Sequence, residues 1–359
     1  MGSPRWKLAL LVLIYALTAM VSLELSVRWL VPAWRSDVAY SARSIRLQEI
    51  APNLDRTLYR RGVVPGRADS TRIRTDFDGL ILPNNVDGGR PVDLTIAFLG
   101  GSTTESLWVR EDLRWPYLVG KSLSRQFGLN IRVLNAGAGG ANLHHTIDLF
   151  LNKVIKHSPD IVVVMHAIND CGVLMSRGGY DDWMIQNLWQ PGGPVRRYYR
   201  LLASYSAGWR LLRHVYVTVA ADRQHGSGVT PADFRPVGLL LREFDLRLRL
   251  MVSAIRAAGA VLVLLTEPFR DRKPLTNGDF RPEDRFSSEL HCTAFFNDRV
   301  REFARRERVD LVDLERHMYG SEHFFDFAHF TDEGSVIAAD GVAAGLRPVV
   351  NRVVGRGRS

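Results

Sequence analysis

The sequence predicts an α/β fold: a three-layer α/β/α domain around a five-stranded, mainly parallel sheet, preceded by an N-terminal transmembrane helix. Three observations carry that prediction. From Leu94 onward, short apolar runs alternate with longer stretches of helical spacing, the pattern of a parallel sheet covered on both faces. Three of these runs break abruptly into glycine-rich or polar loops, as strands do where such sheets bind their ligands. Ahead of them, Leu8 to Leu23 carries no charge.

The apolar run comes first in the chain. A spanning helix needs about 20 apolar residues, with a lower limit near 17. Trp6 suits the interface and Lys7 can snorkel. No small-x-small cleavage site follows, and Leu25, Val27, Leu30 and Val31 continue the pattern past Glu24, so residues 1–31 read as an uncleaved single-pass anchor. Arg5 and Lys7 favour an inside N-terminus, which places the remainder outside the cytoplasm, in a periplasmic setting. Arg28 and Arg35 at the other end weaken the asymmetry.

Residues 32–92 form a connector, with an amphipathic piece near Val38 to Ile50, a strand candidate at Thr71-Arg-Ile-Arg-Thr-Asp-Phe77 and a turn-rich stretch before Pro91. The main domain spans 93–359. Its strand candidates are Leu94–Leu99, Ile131–Leu134, Ile161–Met165, Ala260–Leu265 and Leu311–Val312. Helical spacing marks Trp115–Phe127, Ala141–His157, Leu239–Ala258, Thr293–Arg306 and Asp332 to about Val350. An insertion at about 172–238 interrupts the alternation. There Leu201, Tyr205, Trp209 and Leu212 follow helical spacing, which places an apolar stripe on the domain. The neighbouring aromatics and arginines also suit a sugar cleft or a membrane surface.

Charge and cysteine content narrow the class. The net charge of +9 rests almost wholly on arginine, since Lys7, Lys121, Lys153, Lys156 and Lys273 are the only lysines. The arginines are scattered, with no basic tail, RNA-binding signature or zinc-finger spacing, so no nucleic-acid partner is expected. Cys171 and Cys292 cannot hold a zinc ion alone. The reading preferred is two unrelated buried thiols, with pairing as the alternative if the domain lies outside the cytoplasm. The histidines match no metal-ligand spacing, and no metal site is expected from them.

Three loops meet at the carboxyl end of the predicted sheet. The first, Gly100-Gly101-Ser102, delivers a hydroxyl to a strand-to-helix turn, a place suited to a nucleophile and also to a phosphate. The second, Asn135-Ala-Gly-Ala-Gly-Gly-Ala-Asn142, lets the backbone approach a ligand closely. The third, His166-Ala-Ile-Asn169-Asp170, sets an amide at a strand end. A hydroxyl, backbone N–H groups and a side-chain amide at one point suit a nucleophile with its oxyanion hole. Serine needs a base, and the base needs a carboxylate to orient it. Asp326-Phe-Ala-His329 carries both groups on one short loop, and Asp332 and Glu333 suit the first turn of the helix that follows.

These four blocks, in this order on this strand pattern, resemble the SGNH (GDSL-like) hydrolases in their membrane-anchored bacterial form, over roughly Asp93 to Val350. The resemblance implies a flavodoxin-like sheet and a serine ester hydrolase needing no cofactor. It implies Ser102 as nucleophile, His329 as base and Asp326 as its orienting carboxylate. Ser102, Gly140 and Asn169 supply the oxyanion donors, with Gly139 as the rival to Gly140. Two departures stand out: Gly101 replaces the aspartate of Gly-Asp-Ser, and Ala167 stands where the third block has glycine. The expected substrate is an acyl ester, above all an acetyl ester, on a glycan or another extracytoplasmic molecule. Acetyl transfer to a polysaccharide by the same triad, and a non-catalytic binding module on the same fold, are the alternatives.

Overall fold

The computed structural model describes residues 12–18, 22, 47–59, 70–177, 179–180, 237–270, 289–318 and 320–356. The chain divides into two compact units, Met1–Arg46 and Leu47–Ser359. In the first, residues 12–18 are helical and exposed. No helix among the described residues is long and apolar enough to cross a membrane. Most of the anchor expected over 1–31 lies outside the described residues, as do 38–46 of the amphipathic piece and 181–236 of the insertion with its aromatic stripe.

The second unit is built on a five-stranded sheet of β3 (Leu94–Gly100), β4 (Ile131–Asn135), β5 (Ile161–Met165), β6 (Val261–Leu265) and β7 (Asp310–Val312). Their order is β4-β3-β5-β6-β7 and every pair among the described residues is parallel. The chain therefore leaves β3 in one direction and returns beyond it for β5, which opens a crevice at the carboxyl ends of these two neighbours. Their register pairs Gly100 with Met165, so the loops after them start side by side.

Successive strand residues face opposite sides, and two apolar layers result. Ala97, Leu99, Val162, Val164, Leu262 and Leu264 pack with α3 (Leu143–Leu149), α4 (Ile168–Arg177), α5 (Val237–Ala257) and α6 (Glu289–Glu307). Ile96, Phe98, Val163 and Val263 pack with α2 (Trp115–Phe127), the short α7 (Leu314–His317) and α8 (Asp332–Arg356). This is the expected α/β/α sandwich. Fully buried Trp115 locks α2 to the sheet. Its ring meets Phe98 edge-on at 5.2 Å, a geometry worth about 1 kcal/mol beyond burial.

Several elements depart from expectation. The helix predicted over Ala141–His157 starts at Leu143, because Asn142 is extended and caps it. The Asn142 side chain accepts the His145 N–H at 3.1 Å, while the His145 ring takes the Asn142 N–H. After Leu149 the helix widens into a π turn over Phe150–Val154 and tightens into a 3-10 turn over Ile155–His157. Helix α4 was not anticipated; it runs on through Arg177. The strand expected near Thr71 is β2 (Ser70–Arg74), paired antiparallel with an unforeseen β1 (Asp55–Tyr59). The following segment binds the sheet edge, with Ile81 N–H donating to Asn135 O and Val133 N–H to Asn84 O. Cys171 of α4 and Cys292 of α6 are joined in a disulfide, which decides between pairing and separate thiols.

Candidate active site

The first loop arises directly from β3. Its last residue, Gly100, and the extended Gly101 (φ −83°) lead into α1 (Ser102–Glu105), a single turn. Both glycines answer to space rather than to unusual angles. A Cβ on Gly100 would lie 2.2 Å from Thr104 Oγ1, and one on Gly101 would lie 2.4 Å from Asn169 Nδ2. The departure from Gly-Asp-Ser thus has a physical reason in this chain. As the first residue of its turn, Ser102 has no intrahelical partner for its N–H. Trp115 Nε1–H donates to Thr103 O at 2.9 Å and holds the turn from below.

The C-terminal loop is equally local in origin. Phe324 and Phe330 form an antiparallel bridge, and Phe325 N–H donates to His329 O at 3.0 Å. Asp326 Oδ1 accepts the N–H groups of Ala328 and His329 at 2.9 and 2.8 Å. Thr331 closes the loop into α8, its Oγ1 accepting the Gly334 N–H at 2.9 Å. Asp332 and Glu333 do occupy the first turn of that helix.

This loop meets the first. His329 Nε2 lies 2.7 Å from Ser102 Oγ, and His329 Nδ1 lies 2.7 Å from Asp326 Oδ2. An ionised carboxylate only accepts, so Nδ1 carries the ring proton and Nε2 is left to accept the serine O–H. Burial raises the Asp326 carboxyl, but bonds from the His329 ring and from the His329 and Ala328 N–H groups outweigh it and hold it below its ordinary range. The Phe325 ring stacks on His329 with centroids 5.4 Å apart, limiting its tilt.

The remaining predicted residues lie on the other two loops. Asn169, in the first turn of α4, donates through Nδ2 to Ala141 O at 2.8 Å. The amide has a second N–H, and its nitrogen borders Gly101. Ala141 follows Gly140, which takes a left-handed conformation (φ +72°) that glycine adopts without strain. The rival Gly139 has its N–H directed to the Glu105 carboxyl and its C=O bonded by Gln48 at 2.7 Å. No described hydrogen bond takes the Gly140 N–H. The other loop is further fixed by Asp170, whose Oδ1 accepts the Leu143 N–H at 3.0 Å and the Tyr180 hydroxyl at 2.6 Å.

Two buried carboxyls here escaped the sequence reading. Glu105 ends α1, and burial pushes it up to about 7 against the opposing Gly139 N–H, His329 and Arg114. Glu267 lies two residues past β6 and bonds both the turn that begins at Ser102 and α4. Its signal was available: Leu265 gives way to Thr266-Glu267-Pro268 at a strand's carboxyl end, where polar residues face the ligand crevice. Glu105 closes a run of small polar residues and carries no comparable mark.

A hydrogen-bonded serine, histidine and aspartate at the switch point of a parallel sheet is the arrangement that serine hydrolases use. The chain belongs to the GDSL-like lipase/acylhydrolase (SGNH) family, whose family model matches residues 98–337. It is accordingly a carboxylic ester hydrolase. Among solved structures, the acetylxylan esterase Axe2 from Geobacillus stearothermophilus is 15% identical, with 74% of this chain and 97% of that chain covered and a TM-score of 0.44. LAE5, an alpha/beta hydrolase enzyme from the metagenome of Lake Arreo, is 16% identical over 71% of this chain and 96% of its own, with a TM-score of 0.42. No curated protein matches the chain.

Proposed function

We propose that the protein is a serine esterase that removes acetyl groups from a glycan or another extracytoplasmic ester. The hydrogen-bonded chain from Ser102 through His329 to Asp326 carries this proposal. Ser102 Oγ attacks the ester carbonyl as His329 Nε2 takes its proton, and Asp326 keeps the imidazole oriented and stabilises its positive charge. The carbonyl oxygen, now negative, is met by the N–H groups of Ser102 and Gly140 and by the free N–H of Asn169 Nδ2. His329 then returns the proton to the leaving alcohol, and water repeats the sequence on the acyl-enzyme.

Beside Ser102, a small cavity is bounded by Trp108, Val109, Phe325, His329 and Phe330. The disulfide between Cys171 and Cys292 supports an oxidising, extracytoplasmic setting, in line with the uncharged run from Leu8 to Leu23 as an anchor.

The test is hydrolysis of p-nitrophenyl acetate by the purified full-length protein and by Ser102→Ala. Loss of turnover in the variant is expected, and unchanged turnover would end the proposal. Release of free acetate, rather than acetylation of an added polysaccharide, is the outcome that separates hydrolysis from transfer.

A further inference from the structure

The nucleophile and the amide donor come from different strands, and backbone pairing of β3 with β5 ends at Gly100 and Met165. Beyond that point, something other than the sheet must hold their loops in register. One side chain reaches both. Glu267 Oε1 accepts the Thr103 hydroxyl at 2.7 Å, and Thr103 directly follows Ser102. Its Oε2 accepts the N–H groups of Ala167 and Ile168 at 2.8 and 2.9 Å, immediately before Asn169.

Glu267 is itself immobilised. Its backbone N–H donates to Asn297 Oδ1 and its C=O accepts Asn297 Nδ2, both at 2.8 Å, which ties it to α6. The side chain is almost wholly buried at 3% exposure. A buried carboxyl is costly unless its oxygens are bonded, and here both are. The three donors it uses belong to the two loops that carry Ser102 and Asn169. It also takes the N–H of Ile168, the first residue of α4.

We infer that Glu267 is a positioning residue that sets the Ser102 hydroxyl and the Asn169 amide at a fixed separation by bonding both loops at once. The inference rests on Ser102 and Asn169 acting as proposed above. It makes a chemical distinction between substitutions. In Glu267→Gln, the amide oxygen still accepts from Ala167 and Ile168, and Nε2 can donate to Thr103 Oγ1, whose hydroxyl then accepts. Glu267→Ala removes all three bonds.

Steady-state kinetics on p-nitrophenyl acetate with the full-length protein test it, with near-UV circular dichroism reporting the fold. Misplacing an oxyanion donor acts on the transition state alone, so Glu267→Ala should lower kcat about 100-fold with KM within about threefold. Glu267→Gln should recover kcat to within about fivefold of the native protein. If Glu267→Ala does not fold, Thr103→Val severs the link to the nucleophile turn alone and should lower kcat about 10-fold at unchanged KM. A folded Glu267→Ala or Thr103→Val with native kcat overturns the inference, as does a Gln variant no better than Ala. Native hydrolysis that depends on Ser102 but not on Glu267 leaves the proposed function standing. Absence of Ser102-dependent hydrolysis overturns both.

Discussion

Glu105 gives the sharpest prediction about stability. Its carboxyl is buried at the end of α1, where it faces the Gly139 N–H, His329 and the buried Arg114. Desolvation outweighs these partners and raises it from an ordinary 4.5 to about 7. The unfolded chain releases this proton above its ordinary value, whereas the folded protein keeps it until about 7. Across that interval the native state binds more protons, so stability falls as pH rises. At about 1.4 kcal/mol per tenfold change, the shift corresponds to about 3 kcal/mol. Glu105→Gln is neutral throughout and lacks this slope. Urea unfolding of both proteins at about pH 4 and about pH 8 should show the variant gaining about 3 kcal/mol on the native protein between the two conditions. Parallel stability curves would refute the reasoning, because they would mean that Glu105 ionises in the fold as it does in water.

Two other outcomes follow from the geometry. The Cys171–Cys292 bridge closes a loop with a sequence separation of 121, so replacing both cysteines by serine should destabilise the protein by about 4–5 kcal/mol and lower Tm by roughly 10 °C in a thermal melt. Gly101→Ala places a methyl 2.4 Å from Asn169 Nδ2 and 3.3 Å from Ala141 O. Displacing that donor should reduce kcat about 100-fold with little change in KM, measured on p-nitrophenyl acetate.

The fold was legible where the chain's own periodicity decides structure. Ile161–Met165 is a fully buried run, and its strand matches the expected limits; Trp115–Phe127 does the same for a helix with an apolar stripe. The strands of the five-stranded sheet depart from their expected limits by one residue at most, as where Gly100 and Asn135 extend β3 and β4, whereas β2 ends at Arg74, three residues before Phe77. What escaped depends on partners distant in sequence. Strand β1 is mostly exposed and polar, and pairing with β2 rather than its own pattern makes it a strand. Helix α4 begins within the loop after β5, and the N–H groups of Ala167 and Ile168 at its start are satisfied by Glu267 from the loop after β6.

The same division holds at the site. Asp326 and His329 are three residues apart, so their mutual bond is a local matter that spacing reveals. Ser102 marks itself by the glycines before it. The burial of Glu105 and Glu267 is a property of the assembled layers; Glu267 is marked locally only by its place just past a strand's carboxyl end, and Glu105 by nothing. That Glu105 engages the Gly139 N–H likewise depends on the assembled fold.

The central claim is that Ser102 is a nucleophile activated by His329, and covalent capture tests it most directly. Mass spectrometry of the full-length protein after reaction with a fluorophosphonate probe should find one adduct per chain, on the peptide containing Ser102, and none after His329→Ala. A protein left unlabelled, or labelled at another serine with Ser102 intact, would contradict the account.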